Sequence, residues 1–238
     1  MAAFVLVHGA FQGGWVWRPV SSLLRGAGHA VFTPTLTGAG ERTHLIERDI
    51  DLSVYIRDVV NTIHFEDLND VILVGHSYAG MIITAVADEM PDRVSNLVYL
   101  DAVVPEAGKS FVDIAGSGFG QLLARHTIGW KVRPWPLQAF GISREEDRQW
   151  FSSHLVHFPS AAFASTFPGT GSHSRVDRTY IRCTENQSEF LQRTADQCRH
   201  ERWNYYELPT GHSPMITLPA ELAGLLVHIA SPDRAGRG

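Results

Sequence analysis

The stretch Asp70–Gly80, DVILVGHSYAG, continues into MIITAVADEM over residues 81–90. Residues 71–74 are aliphatic and mostly β-branched, the pattern of a strand buried on both faces, and the residues after the serine carry the period of a helix. Ser77 stands at the junction, with Gly75 two residues before it and Ala79 two residues after it. A serine on so abrupt a strand-to-helix turn sits in a strained backbone conformation that only small neighbours leave room for, and its hydroxyl stands clear of both elements. Ala79 replaces the glycine more usual at that place, but it is small, and Gly80 follows it. A serine that merely caps the helix would give the same order of elements. The rest of the chain decides between a cap and a nucleophile.

Outward from this elbow, short apolar runs alternate with longer stretches of helical period. Strands are predicted over 3–7, 30–33, 71–74, 97–100, 180–183 and 205–208, and helices near 16–24, 53–63, 78–90, 189–197 and 219–229. The alternation predicts an α/β fold, a mostly parallel sheet covered by helices on both faces. It breaks between 105 and 178, where Gly116, Gly118, Gly120, Trp130, Trp135 and Trp150 accompany only fragments of helical period. A segment that long inside a compact domain suits a functional insertion, and its aromatic content suits the roof of an apolar pocket. The competing reading is a helical excursion packed on the core. The expected organisation is a core of residues 1–104 and 179–232, an inserted cap of 105–178, and a flexible polar tail of 233–238.

The 238 residues, 44% of them hydrophobic, suffice for one domain with a sizeable core. A net charge of −5, with charges scattered along the chain, provides no basic surface for nucleic acid or an anionic membrane. No run approaches the roughly 20 apolar residues of a spanning helix. The opening MAAFVLVHGAF lacks the basic start and long apolar centre of a secretory leader and reads as a buried first strand. Cys183 and Cys198 have neither metal-type spacing nor a CxxC arrangement, and two thiols make no disulfide framework. A soluble, cytoplasmic protein is expected. The oligomeric state stays open, a homodimer included.

A serine hydroxyl becomes a useful nucleophile only when a base takes its proton, so a histidine is expected on a loop after a late strand. His212, in LPTGHSP between the last predicted strand and the last helix, holds that place. The oxyanion formed at the attacked carbonyl needs two preorganised N–H donors. Tyr78, next to the nucleophile, supplies one, and Ala10, in the HGAFQGGW loop after the first strand, supplies the other. That glycine-rich loop has neither the GxGxxG nor the GK[ST] spacing of a phosphate cradle. The acid that orients His212 has three candidates: Asp101 at the end of the strand after the elbow helix, Glu185, and Asn186, which would stabilise an imidazolium less. Asp101 is favoured. Phe11, Gln12 and Trp130 are expected to line the pocket, which suits an aromatic or otherwise apolar acyl group.

With these motifs in hand, the chain resembles the small α/β-hydrolases related to plant methyl-ester hydrolases and hydroxynitrile lyases, including their bacterial relatives. The resemblance runs through VLVHGAFQGGWVW (5–17), GHSYAGM (75–81), LVYLDAVVPEAGKSF (97–111), YIRCTEN (180–186) and LPTGHSPM (208–215). It implies an α/β-hydrolase fold with a small inserted cap, a Ser-His-acid triad, no metal or organic cofactor, and a small-molecule ester of a small alcohol or of an aromatic or polyketide-like acid. It supports Ser77, His212, Ala10 and Tyr78 in the roles above. The family usually carries its acid as an aspartate where this chain has Asn186. The lyase branch needs a threonine and a lysine where this chain has Gly9 and Ser213, which disfavours a lyase of the plant kind. The leading expectation is a serine carboxylesterase working through an acyl-enzyme; a non-hydrolytic lyase or cyclase on the same fold is the alternative.

Overall fold

The structure, a computed structural model, describes residues 1–171 and 176–231; the expected tail at 233–238 lies outside the described residues. The central sheet starts with four strands, β1 (Ala3–Val7), β2 (Ala30–Phe32), β3 (Val71–His76) and β4 (Val94–Leu100). The first three helices fall between and after them: α1 (Arg18–Gly26), α2 (Leu52–Phe65) and α3 (Ala79–Glu89). The predicted helix near 16–24 divides into a 3-10 turn, Gly14–Trp17, and α1. Pro19 explains the division, because a residue without an N–H is tolerated only in a helix's first turn. Asp51 caps α2 by accepting the N–H of Ser53 at 2.9 Å.

After β4 the chain leaves the sheet. It forms α4 (Phe111–Ala115), α5 (Ser117–His126), the short strands β5 (Thr127–Ile128) and β6 (Lys131–Val132), α6 (Glu145–His154), β7 (Phe158–Pro159) and α7 (Ser160–Ala164). Strands β5, β6 and β7 make a small antiparallel sheet of their own. The N–H groups of Thr170 and Gly171 then donate to the Asp88 carboxylate at 2.9 and 3.1 Å, which ties the end of the excursion to α3.

The chain re-enters the sheet as β8 (Asp177–Cys183), followed by α8 (Glu189–His200), β9 (Asn204–Leu208), α9 (Pro214–Thr217) and α10 (Pro219–Ile229). β8 begins inside the segment expected as insertion. Asp177 and Arg178 carry no apolar signal, yet they pair with Asn96 and Leu97 of β4.

The sheet order is β2-β1-β3-β4-β8-β9 and every pairing in it is parallel, as the alternating pattern predicts. All six residues of β3 and residues 79–87 of α3 are buried, so the elbow joins two core elements. The chain leaves β1 for β2 on one side and reaches β3 on the other, and in open parallel sheets the crevice above such a switch point is where ligands bind. Ser77 follows β3 there, and Ala10 follows β1. Among the described residues no helix is long and apolar enough to cross a membrane.

Candidate active site

Ser77 has a φ of +56°, in the left-handed region that costs an L-residue energy. Its surroundings hold it there: its N–H donates to Leu100 O at 3.3 Å, and its carbonyl accepts from Gly80 and Val103, each at 3.2 Å. The requirement for a small neighbour is sharpest at Gly80, where a Cβ would overlap the Val103 carbonyl oxygen. Ala79 therefore fits because the tight approach falls one residue later.

His212 lies within reach of the serine: the Ser77 hydroxyl donates to Nε2 at 2.9 Å. On the far side of the ring, Nδ1–H donates to Asp101 Oδ2 at 2.7 Å. Asp101 is 2% exposed, with a φ of +45°. Its own N–H donates to Ile181 O at 2.8 Å, and its Oδ1 accepts from Cys183 N–H at 3.2 Å. The ends of the neighbouring strands β4 and β8 thus fix the carboxylate. Of the other two acid candidates, Glu185 is exposed and its N–H is bonded to Thr210 O. The Asn186 amide donates to Asp101 Oδ2 at 2.5 Å. It also lies 3.2 Å from His212 Nδ1, but a nitrogen that gives its proton to Asp101 cannot accept one from an amide.

Two buried neutral histidines brace this arrangement. His76 Nε2–H donates to the His212 carbonyl at 2.6 Å; burial, and then the neighbouring His212, push its pKa well below the usual imidazole range. His8 Nδ1–H donates to Gly9 O at 2.8 Å while its Nε2 accepts from Leu36 N–H at 3.1 Å. Burial pushes the His8 pKa down to about 4. Gly9 O and the N–H of Ala10 belong to one trans peptide and point opposite ways, so the bond from His8 also aims the Ala10 N–H. Ala10, Ser77, Tyr78 and His212 all line the same cavity. Among the described residues the N–H groups of Ala10 and Tyr78 have no hydrogen-bond partner. The segment between β4 and β8 meets the histidine loop where Gly141 touches Gly211, with a Cβ on either falling 2.5 Å from the other's Cα.

The cavity holds about 710 Å³. Its apolar wall comes from Phe111, Phe119, Trp135 and Phe163, all between β4 and β8, and Phe190 of α8. Three residues expected in the pocket lie elsewhere. Phe11 is buried beneath it, ring to ring with Trp135 at 4.9 Å and Phe158 at 5.7 Å. Gln12 is 1% exposed, its backbone carbonyl accepting from Gly40 N–H at 3.1 Å. Trp130 sits in the β5–β6 turn under the Lys131 ammonium, 4.9 Å from its ring centroid. Residue type alone could not separate Trp130 from Trp135, because the small antiparallel sheet turns one outward while the other packs on Phe119 at 5.7 Å.

A hydroxyl, an imidazole and a carboxylate in sequence, beside two free N–H groups and under an apolar roof, can carry out nucleophilic acyl transfer. A carbendazim hydrolyzing esterase of a Nocardioides species is 38% identical to this chain, over 94% of it and 97% of the relative. Methylesterase 2 of Arabidopsis thaliana is 26% identical over 95% of each chain. In fold, the chain is similar to an extracellular alpha/beta-hydrolase from a Paenibacillus species, with a TM-score of 0.85 and 24% identity over 96% of this chain and 98% of that one. The model of the alpha/beta hydrolase family matches residues 4–225, and the chain belongs to that family.

Proposed function

We propose that the protein is a serine carboxylesterase that cleaves small, neutral esters with an aromatic or apolar acyl group through an acyl-enzyme. The observation that carries the reading is the continuous relay from Ser77 Oγ to His212 Nε2 at 2.9 Å and from His212 Nδ1 to Asp101 Oδ2 at 2.7 Å, at the floor of the cavity. His212 takes the Ser77 proton as Oγ attacks the ester carbonyl. The oxyanion is held by the N–H groups of Ala10 and Tyr78, and the imidazolium returns its proton to the departing alkoxide. Water repeats the sequence on the acyl-enzyme to release the acid and regenerate Ser77. Asp101 keeps Nδ1 protonated and stabilises the imidazolium.

The segment between β4 and β8 is the proposed cap, and the aromatic wall it contributes favours an acyl group that is apolar and uncharged. The relatives named as esterases support cleavage of an ester bond. A carboxylate, Asp101, bonded to the His212 imidazole favours hydrolysis over the lyase or cyclase alternative. At Gly9 a Cβ would stand 3.0 Å from His76 Nδ1 and 3.1 Å from Ser77 Cβ, so a threonine there would require those neighbours to shift. The cytoplasm is the proposed compartment, and two free, buried cysteines suit a reducing one.

The test is labelling with a fluorophosphonate, read by intact mass and peptide mapping, alongside hydrolysis of p-nitrophenyl and aryl methyl esters. One adduct on Ser77, absent in His212→Ala, is expected, and Ser77→Ala should abolish turnover. Unchanged ester hydrolysis in Ser77→Ala would refute the proposal.

A further inference from the structure

We propose that Asn186 is a positioning residue for the acid of the triad: its amide clamps the oxygen of Asp101 that serves His212, and positions 101 and 186 form one acid–amide pair of which either member reaches the imidazole. The inference rests on the Ser77–His212–Asp101 reading above. Asp101 Oδ2 receives two donors, His212 Nδ1–H at 2.7 Å and Asn186 Nδ2–H at 2.5 Å. The orientation of the amide is set by its other end, since Asn186 Oδ1 accepts the N–H of Ser188 at 3.1 Å. Its backbone is held as well, with the Asn186 N–H donating to Cys183 O at 3.2 Å. The donor end therefore has to face Asp101.

Hydrogen bonds onto an ionised carboxylate are the stronger class, and this one comes from a group that neither titrates nor carries charge. An amide at 186 thus holds Oδ2 against Nδ1 without competing for the proton that His212 accepts in the reaction. The remaining neighbours of the carboxylate are silent. Cys183 and Tyr180 are pushed well up, by burial first and by the Asp101 charge after it, and both stay neutral. Because Asn186 Nδ2 also stands 3.2 Å from His212 Nδ1, a carboxylate oxygen in its place would lie within hydrogen-bond reach of the same imidazole nitrogen.

The experiment compares kcat and KM on one small aryl ester for four proteins: wild type, Asp101→Asn, Asn186→Leu, and the exchange Asp101→Asn/Asn186→Asp. Circular dichroism and thermal unfolding establish that each is folded. Asp101→Asn places two amides and no carboxylate beside the imidazole and is expected to lower kcat on the order of 10⁴-fold. Asn186→Leu keeps the bulk and removes the donor, lowering kcat about tenfold to a hundredfold with KM unchanged. The exchange restores at least about a hundredfold over Asp101→Asn, since it returns a carboxylate to Nδ1 from the other side. A purely structural asparagine would give no such rescue. Wild-type kcat in Asn186→Leu, or an exchange variant no faster than Asp101→Asn, overturns the proposal while leaving the triad standing. Wild-type kcat in Asp101→Asn overturns the triad acid and the clamp together.

Discussion

Between pH 7 and pH 5 the fold is expected to lose stability through its buried histidines. His8 is completely buried, and it is neutral because both ring nitrogens are committed, one donating to Gly9 O and one accepting from Leu36 N–H. Burial lowers its pKa from 6.5 to about 4, against smaller opposing contributions from the Gly9 hydrogen bond and Glu41. The unfolded chain takes up this proton near pH 6.5 and the folded chain only near pH 4. Between those values the unfolded state binds more protons, so stability falls as the pH falls. From pH 7 to pH 5 His8 alone removes about 2 kcal/mol, rising to about 3 kcal/mol below pH 4. His76, pushed down by burial and by His212, acts in the same direction. The assay is urea unfolding followed by tryptophan fluorescence at pH 7 and pH 5, on wild type and His8→Asn. Asparagine keeps an N–H for Gly9 O but cannot take up the proton, and it leaves Leu36 N–H without an acceptor. The variant should therefore start about 1–3 kcal/mol less stable at pH 7 and lose about 2 kcal/mol less on going to pH 5. A variant as acid-sensitive as wild type would refute the assignment of that sensitivity to a buried neutral His8.

Two further outcomes test the strained elbow and the pocket wall. Ser77→Gly removes the side chain that makes a φ of +56° costly, so thermal unfolding should show a gain of up to about 1 kcal/mol while turnover is lost; a less stable variant would contradict the strain. Trp135→Ala should raise KM for an aryl ester about tenfold, an aromatic contact's worth, with a short aliphatic ester little affected. Trp130→Ala should change neither, and the reverse pattern would return Trp130 to the pocket.

The parts of the site that could be read from the chain are those built within a few residues. Ser77 is recognisable because the buried strand, the small residues and the helix that create its strain are contiguous, and His212 because it alone among the histidines follows the last strand and precedes the last helix. The aromatic wall could not be read that way. Phe111, Phe119, Trp135 and Phe163 come from short elements and a loop whose orientation is set by packing on one another, as in the Phe119–Phe163 contact at 5.5 Å. Phe11 is a chemically sensible choice for a pocket residue, yet it turns inward with a φ of +69° and supports the wall from behind.

The sequence by itself determined the parallel α/β core and the places of Ser77 and His212, because burial period and local backbone sterics act over one turn or one strand. The tertiary structure decided which of the three candidate residues bonds the His212 imidazole and which side chains line the cavity. Asp101 and His212 are 111 residues apart, and Asp101 and Asn186 are 85 apart. They meet because β8, after the long excursion, pairs with β4 and brings its end beside the end of that strand. Such pairing is a property of the whole sheet, and no local pattern of residues encodes it.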